Sequence, residues 1–144
     1  MTTAITHATS SDFPAIHTLL ARSGLPQDGL IDHLATTLVA QQGNEVVGSA
    51  ALEVYGNMAL LRSVVVASTL RSRSLGTRLV DTALDLARQQ QLTQVYLLTE
   101  TATDFFLKHG FHIVSRGDVA PAVQQSVEFT HVCPESATAM VLRL

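Results

Sequence analysis

The sequence predicts an α+β fold, a mixed α/β sandwich built as one domain spanning residues 1–144. Three observations point there. The order of elements runs helices, an antiparallel meander, a long crossover helix and then more strands, which differs from a regular βαβ alternation. The chain has 144 residues and is 47% hydrophobic, enough for one core and too short for two. No repeat, low-complexity tract or internal linker divides it.

Ala4 to Ala8 reads as a short first strand. Ser10, Ser11 and Asp12 are helix caps, and Pro14 suits a first helical turn. Ile16, Leu19 and Leu20 give that helix its apolar face, and Gly24 ends it. A weaker helix is expected from Gly29 to Thr36. Thr37 to Gln41 reads as a strand, Gln42-Gly43-Asn44 as a turn, and Val46 to about Tyr55 as the next strand. Gly56-Asn57 turns the chain into the β-branched run from Leu60 to Val66. Leu79, Val80, Ala83, Leu86 and Ala87 recur at helical spacing within Leu75 to Gln91. Val95 to Thr99 is a short buried strand, Ala102 to His109 a brief helix stopped by Gly110, and Phe111 to Val114 another strand. Residues 115–134 resist assignment beyond a helical turn from Pro121 to about Ser126. Ala137 to Leu144 reads as a final strand.

The most informative stretch is Arg71-Ser72-Arg73-Ser74-Leu75-Gly76-Thr77, between the β-branched run and the long helix. Free N–H groups at a helix start and the positive end of its dipole favour phosphate. The charge pattern agrees. The net charge is −3, yet residues 54–80 hold no Asp or Glu and four of the nine cationic side chains: Arg62, Arg71, Arg73 and Arg78.

Composition excludes several classes. The acidic balance argues against general nucleic-acid binding. Nothing approaches the length of apolar run that spans a membrane, and the N-terminus lacks the pattern of a signal peptide, so a cytoplasmic protein is expected. Cys133 is alone, which rules out an internal disulfide, and is read as structural. The six histidines show no ligand spacing, so no metal is expected.

The run Val64-Val65-Val66, the arginine loop and the helix after it resemble the acetyl-coenzyme A signature of the GNAT N-acetyltransferase superfamily. That signature is Gln or Arg, two residues, Gly, one residue, then Gly or Ala. Arg71 fills its first place and Gly76 its last; Ser74 stands where the first Gly is usual. A Ser can still donate from its backbone, but its Cβ restricts positive φ. A second segment, Ala102-Thr103-Asp104-Phe105-Phe106-Leu107-Lys108-His109-Gly110-Phe111, resembles the family's closing helix, which ends in Lys, one residue, Gly, Phe. The resemblance covers nearly the whole chain. With Leu61-Arg62-Ser63, Leu97-Leu98-Thr99, Ser126, Glu128-Phe129, Cys133-Pro134 and Met140, the chain looks most like the arsenic-resistance N-acetyltransferase branch. It is more distantly similar to the acetyltransferase domain of N-acetylglutamate synthases.

The resemblance implies a three-layer sandwich whose mostly antiparallel central sheet splays between its fourth and fifth strands. It implies acetyl-CoA as cosubstrate, with the pantetheine arm against Val64, Val65 and Val66 and the pyrophosphate on Arg71, Ser72, Arg73, Ser74, Leu75, Gly76 and Thr77. It implies acetylation of the α-amine of an acidic amino acid, or of an arsenic or phosphorus analogue, by direct attack. Other amine classes and a CoA-binding sensor without turnover remain alternatives. Homodimers are common among the relatives.

Two departures stand out. The place on the fourth strand where many relatives carry a carboxylate is apolar. Glu53 and Glu100 are therefore the candidate proton acceptors, with Glu128 a third. The usual tyrosine that protonates the leaving thiolate is replaced by Phe106, which is expected beside the cofactor. Arg62 lies inside an apolar strand, where an unpaired cation is costly. Either it faces the cleft and holds a substrate carboxylate, or it pairs within the core. Ser63 and Thr99 are the neighbouring candidates for substrate contact.

Overall fold

The computed structural model describes residues 2–71, 74–132 and 136–144. Ser72, Arg73 and Cys133, singled out above, lie outside the described residues. The elements are β1 (Thr3–His7), α1 (Phe13–Arg22), β2 (Thr37–Gln42), β3 (Glu45–Tyr55), β4 (Met58–Val66), α2 (Leu75–Gln89), β5 (Gln94–Thr99), α3 (Thr103–Lys108), β6 (His112–Val114) and β7 (Thr138–Arg143). They form one seven-stranded sheet in the order β1-β2-β3-β4-β5-β7-β6. Every neighbouring pair is antiparallel except β4 and β5, which the crossover through α2 makes parallel.

The central strands are buried on both faces, so β2, β3 and β4 read as continuous apolar runs. On one face α2 lays Leu79, Val80, Ala83, Leu86 and Ala87 over Leu38, Leu52, Leu61 and Leu97, and Phe106 of α3 joins the same cluster. On the other, α1 packs Phe13, Ile16 and Leu20 against Val39, Ala51 and Val65. A smaller cluster there joins Leu60, Tyr96 and Val141 to Val119 and Val123. Gly48 on β3 allows α2 this close approach: a Cβ there would stand 2.9 Å from both the Leu79 side chain and the Val65 carbonyl oxygen.

Several elements differ from expectation. The stretch expected as a second helix is a 3-10 run, Leu30–Thr36, broken by non-helical angles at His33. The long helix stops at Gln89, two residues early, and Gln91 takes a positive φ of 62°. Of the stretch that resisted assignment, the described residues 115–132 hold short turns, including Arg116–Asp118, Val123–Gln125 and a wide turn at Glu128–Val132. Gln124 ties that segment together by donating to the Val119 and Arg116 carbonyls at 2.7 and 3.3 Å. Among the described residues no helix is long and apolar enough to cross a membrane.

Two features of β4 shape the site. Its parallel ladder with β5 covers only Met58↔Gln94, Ala59↔Val95 and Leu60↔Tyr96. Beyond Leu60 the strands part, although β4 runs on to Val66 and β5 stays paired with β7 as far as Thr99↔Thr138. On its other side β4 carries a bulge: Ala51 pairs with Arg62 and Ser49 with Val65, so one extra β4 residue is accommodated. Ser63 sits in the bulge at φ 57°.

Candidate active site

The parted strands enclose a cavity of about 690 Å³. Leu61 to Val66 of β4 form one wall and Leu97 to Thr99 of β5 the other. Ala102, Phe105 and Phe106 also line it, as do residues 22–26 from the last residue of α1 onward and Glu128 from the segment before β7. Along this wall β4 presents a backbone edge that β5 does not pair, a template for an extended ligand arm. The bulge adds to it. The Ser63 carbonyl is held by the Ser49 hydroxyl at 2.7 Å rather than by a regular ladder. Holding an L-residue at positive φ costs roughly 1 kcal/mol or more, strain the surrounding packing must outweigh.

Val66 and Phe105, which line the cavity, also flank Gly76 in the first turn of α2. The helical ladder begins with the Arg78 N–H donating to the Ser74 carbonyl at 3.0 Å, so Leu75, Gly76 and Thr77 have no intrahelical acceptor. No acidic residue lies in the first turn, and no side chain caps it. Ser74 takes the left-handed conformation (φ 61°, ψ 11°) that the sequence flagged as awkward for any residue but glycine. A Cβ on Gly76 would meet Phe105 at 3.6 Å and Val66 at 3.8 Å, ordinary contacts. Packing of the protein alone therefore leaves room for a side chain at Gly76. Arg71 is exposed; its Nε donates to the Val66 carbonyl at 3.2 Å and its Nη2 to the Ser23 hydroxyl at 3.0 Å. Phe106 is buried in edge-to-face contact with Phe105 and Phe111, at ring separations of 5.0 and 5.6 Å.

Arg62 forms the centre of a buried polar cluster. Its side chain is fully buried and lies 2.8 Å from Glu53 and 3.2 Å from Glu128. The register explains the first pair. Glu53 stands opposite Leu60 and Ala51 opposite Arg62, so the two charged residues are diagonal neighbours on one face. Arg62 also donates to the carbonyls of Asp28 at 2.7 Å and Pro26 at 3.4 Å and to the Ser63 hydroxyl at 3.1 Å. Of the two alternatives for Arg62, the core ion pair is therefore the one its side chain makes, although the residue also lines the cavity.

The two carboxylates expected as proton acceptors are placed very differently. Glu53 is 1% exposed and does not line the cavity. Burial pushes its carboxyl up, but hydrogen bonds from Tyr55, Ser126 and Arg62 and the Arg62 charge outweigh this and hold it below its usual value. Tyr55 donates to Glu53 Oε1 at 2.5 Å, and burial together with that carboxylate pushes the phenol up to about 12. Away from the cavity lining and 2.8 Å from the guanidinium, Glu53 is placed to anchor Arg62. Glu100 lies at the cavity rim and is exposed. Thr99 lines the cavity half-buried, its hydroxyl accepting from the Ala102 N–H at 3.0 Å and so starting α3.

The structure thus brings Arg62, Ser63, Val64, Val65, Val66, Thr99, Glu100, Phe106 and Arg71 around one cavity, with Glu53 outside it. Sequence reasoning missed the carbonyls of Pro26 and Asp28, whose type carries no signal. It also missed that Arg22, at the end of α1, lines the cavity. Among the described residues no group of three His, Cys, Asp or Glu could hold a metal ion.

Comparison with known proteins gives the family. The chain is 38% identical over 68 residues to the amino-acid acetyltransferase of Mycobacterium tuberculosis; the match spans 46% of this chain and 38% of that protein. Its fold superposes on Rv2747 from M. tuberculosis, solved in complex with CoA and NLQ, with a TM-score of 0.82 and 28% identity over 98% of this chain and 99% of that one. It also superposes on N-acetylglutamate synthase from Neisseria gonorrhoeae, solved with coenzyme A and N-acetyl-glutamate, with a TM-score of 0.85 and 20% identity. There it covers all of this chain and 35% of that one, a likeness of fold. Residues 3–111 match the model of the Acetyltransferase (GNAT) family, and the chain belongs to that family.

Proposed function

We propose that this protein transfers the acetyl group of acetyl-CoA to the amine of a small amino-acid-like acceptor by direct attack. The carrying observation is the gap between β4 and β5, a cavity whose lining residues Val66 and Phe105 flank Gly76 at an uncapped helix start. The pantetheine arm would pair with the free edge at Val64 to Val66, and the pyrophosphate would rest on the N–H groups of Leu75, Gly76 and Thr77. The room for a Cβ at Gly76 fits this reading, because a ligand phosphate is then what needs the bare backbone. The thioester would point along the cavity, with the Val64 N–H beside the bulge placed to receive the developing oxyanion.

The acceptor class follows from the cavity's charges and from the relatives. Arg22 and Arg71 are exposed cations at its rim, suited to a carboxylate entering from solvent. The M. tuberculosis relative is an amino-acid acetyltransferase, although the aligned stretch is about two fifths of it. We therefore favour the α-amine of an acidic amino acid, or an arsenic or phosphorus analogue, over polycationic amines. Calorimetry with coenzyme A tests the cofactor half. Thiol release from acetyl-CoA, screened over free amino acids, their amides and polyamines, tests the acceptor half. Binding of coenzyme A with turnover of carboxylate-bearing amines is expected; no coenzyme A binding would overturn the reading.

A further inference from the structure

We infer that Glu128 is the catalytic carboxylate, which receives the acceptor's ammonium group and takes its proton before attack. This rests on the acetyl-transfer reading above. Glu128 lines the same cavity as Ser63, Val64 and Thr99. It is only 4% exposed, whereas Glu100 is exposed and Glu53 does not reach the cavity. It is also held in place. Arg62 Nε lies 3.2 Å from its Oε2, and its own N–H donates to the Ser126 hydroxyl at 3.1 Å.

Arg62 is in turn fixed by Glu53, the Asp28 carbonyl and Ser63, so it cannot swing to follow a ligand. Because Glu53 shares that guanidinium, Arg62 orients Glu128 without belonging to it alone. Among the described residues, the other titratable and charged groups nearby include Tyr55 and His33, which converge on Glu53, and Arg116, which lies over the ring of Phe129. On the cavity side the polar cluster presents an oriented carboxylate. An ammonium entering a water-poor pocket is drawn to such a group.

The step balances without a further reactant. The ammonium gives one proton to the Glu128 carboxylate and becomes a neutral amine. Its nitrogen attacks the thioester carbonyl carbon, the N–C bond forms, and the carbonyl electron pair moves to oxygen. The tetrahedral adduct collapses, the C–S bond breaks, and coenzyme A leaves as a thiolate that takes the second nitrogen proton. Glu128 then returns its proton to solvent. Phe106 has no hydroxyl to offer the thiolate, and none is required by this balance.

The test measures kcat/KM against pH with acetyl-CoA and the best amine of the panel, for the native protein and for Glu128→Gln. Removing a positioned base lowers the rate roughly a hundredfold or more near neutral pH. The variant's profile should climb with pH up to the amine's own pKa, while coenzyme A affinity is unchanged. Glu128→Asp should recover part of the rate and restore the native acid limb. A Glu128→Gln variant within about threefold of native, with the same profile, would overturn the inference and leave the acetyltransferase reading standing. If the variant does not fold, the native profile alone decides. A plateau reached well below the amine's pKa supports Glu128, and a steady climb to that pKa overturns it. A native protein that binds coenzyme A but turns over no amine overturns both readings together.

Discussion

Arg62 and Arg71 lie on the same cavity in opposite physical states. Arg62 is fully buried, and its donors meet two carboxylates, two main-chain carbonyls and a hydroxyl. Arg71 is exposed and makes two ordinary hydrogen bonds, to Val66 and Ser23. One cation is engaged within the protein, and the other faces solvent at the cavity. The difference teaches that a cation's presence in a cleft says little until its partners are counted. A guanidinium already engaged on all sides organises a site more readily than it reads a ligand.

The sharpest way to break this comparison is to remove each arginine. Arg62→Ala deprives buried Glu53 of its cation and removes an anchor of Glu128. Breaking a buried pair from one side costs about 3–5 kcal/mol. Urea unfolding should show a loss of that size, enough to leave the variant marginal or unfolded. Arg71→Ala should cost under about 1 kcal/mol, since only exposed bonds are lost. Equal losses from the two substitutions would erase the distinction.

A second test uses pH. The folded Glu53 carboxyl is held below its usual value of 4.5, so its contribution to stability is present above the unfolded value. That contribution is lost as pH falls through the lower, folded value. The stability gap between the native protein and Glu53→Gln should therefore be constant near neutrality and narrow as the medium is acidified below about pH 4.5. Tyr55 has the opposite sign. Its phenol is raised to about 12, so its contribution is present below the ordinary tyrosine range and fades as pH rises toward 12. A gap that widens on acidification would show that Glu53 is not held as the anion of the cluster.

The exposed region is probed by Gly76→Asp. The substitution replaces a first-turn glycine and puts a negative charge at the start of α2, which together favour the helix by up to about 1 kcal/mol. The Cβ finds only ordinary contacts at 3.6 Å and beyond. Stability should hold or rise, while coenzyme A affinity falls by about tenfold or more, roughly 1.4 kcal/mol. Opposite signs in the two measurements would assign the mouth of α2 to ligand rather than to the fold. Parallel losses would return Gly76 to a packing role.

What was legible follows the range of the interactions involved. Strand and helix periods are local, so the meander, α2 and the parting of the fourth and fifth strands were readable, the last through resemblance. The insertion of β7 between β5 and β6 is a long-range pairing that no local pattern encodes. Arg62 was readable as an expensive cation, because polar residues in apolar strands stand out. Its partners were not: they come from residues 26, 28, 53 and 128, and half of them act through main-chain carbonyls. The bulge left no mark either, since Ser63 occupies a positive φ without being glycine. The segment before β7 stayed opaque because side-chain ties such as those of Gln124, rather than periodicity, hold it.

The smallest effect belongs to Ser74, at the boundary between the two regions. It caps α2 in the left-handed conformation, where the family signature has glycine. An L-residue there carries a penalty of roughly 1 kcal/mol, which Ser74→Gly would relieve, while a freer unfolded chain offsets part of that relief. The net gain should be about 0.5 kcal/mol, a rise of one or two degrees in Tm by about the usual slope for this size. If the mouth of α2 faces ligand, as proposed, the same substitution should also tighten coenzyme A rather than weaken it, by clearing a Cβ from the approach. A fall in Tm would mean that Ser74 earns its place through contacts outweighing its backbone strain. An unchanged affinity with a raised Tm would confine the residue to the fold, and the comparison with Arg71 would then stop short of the helix cap.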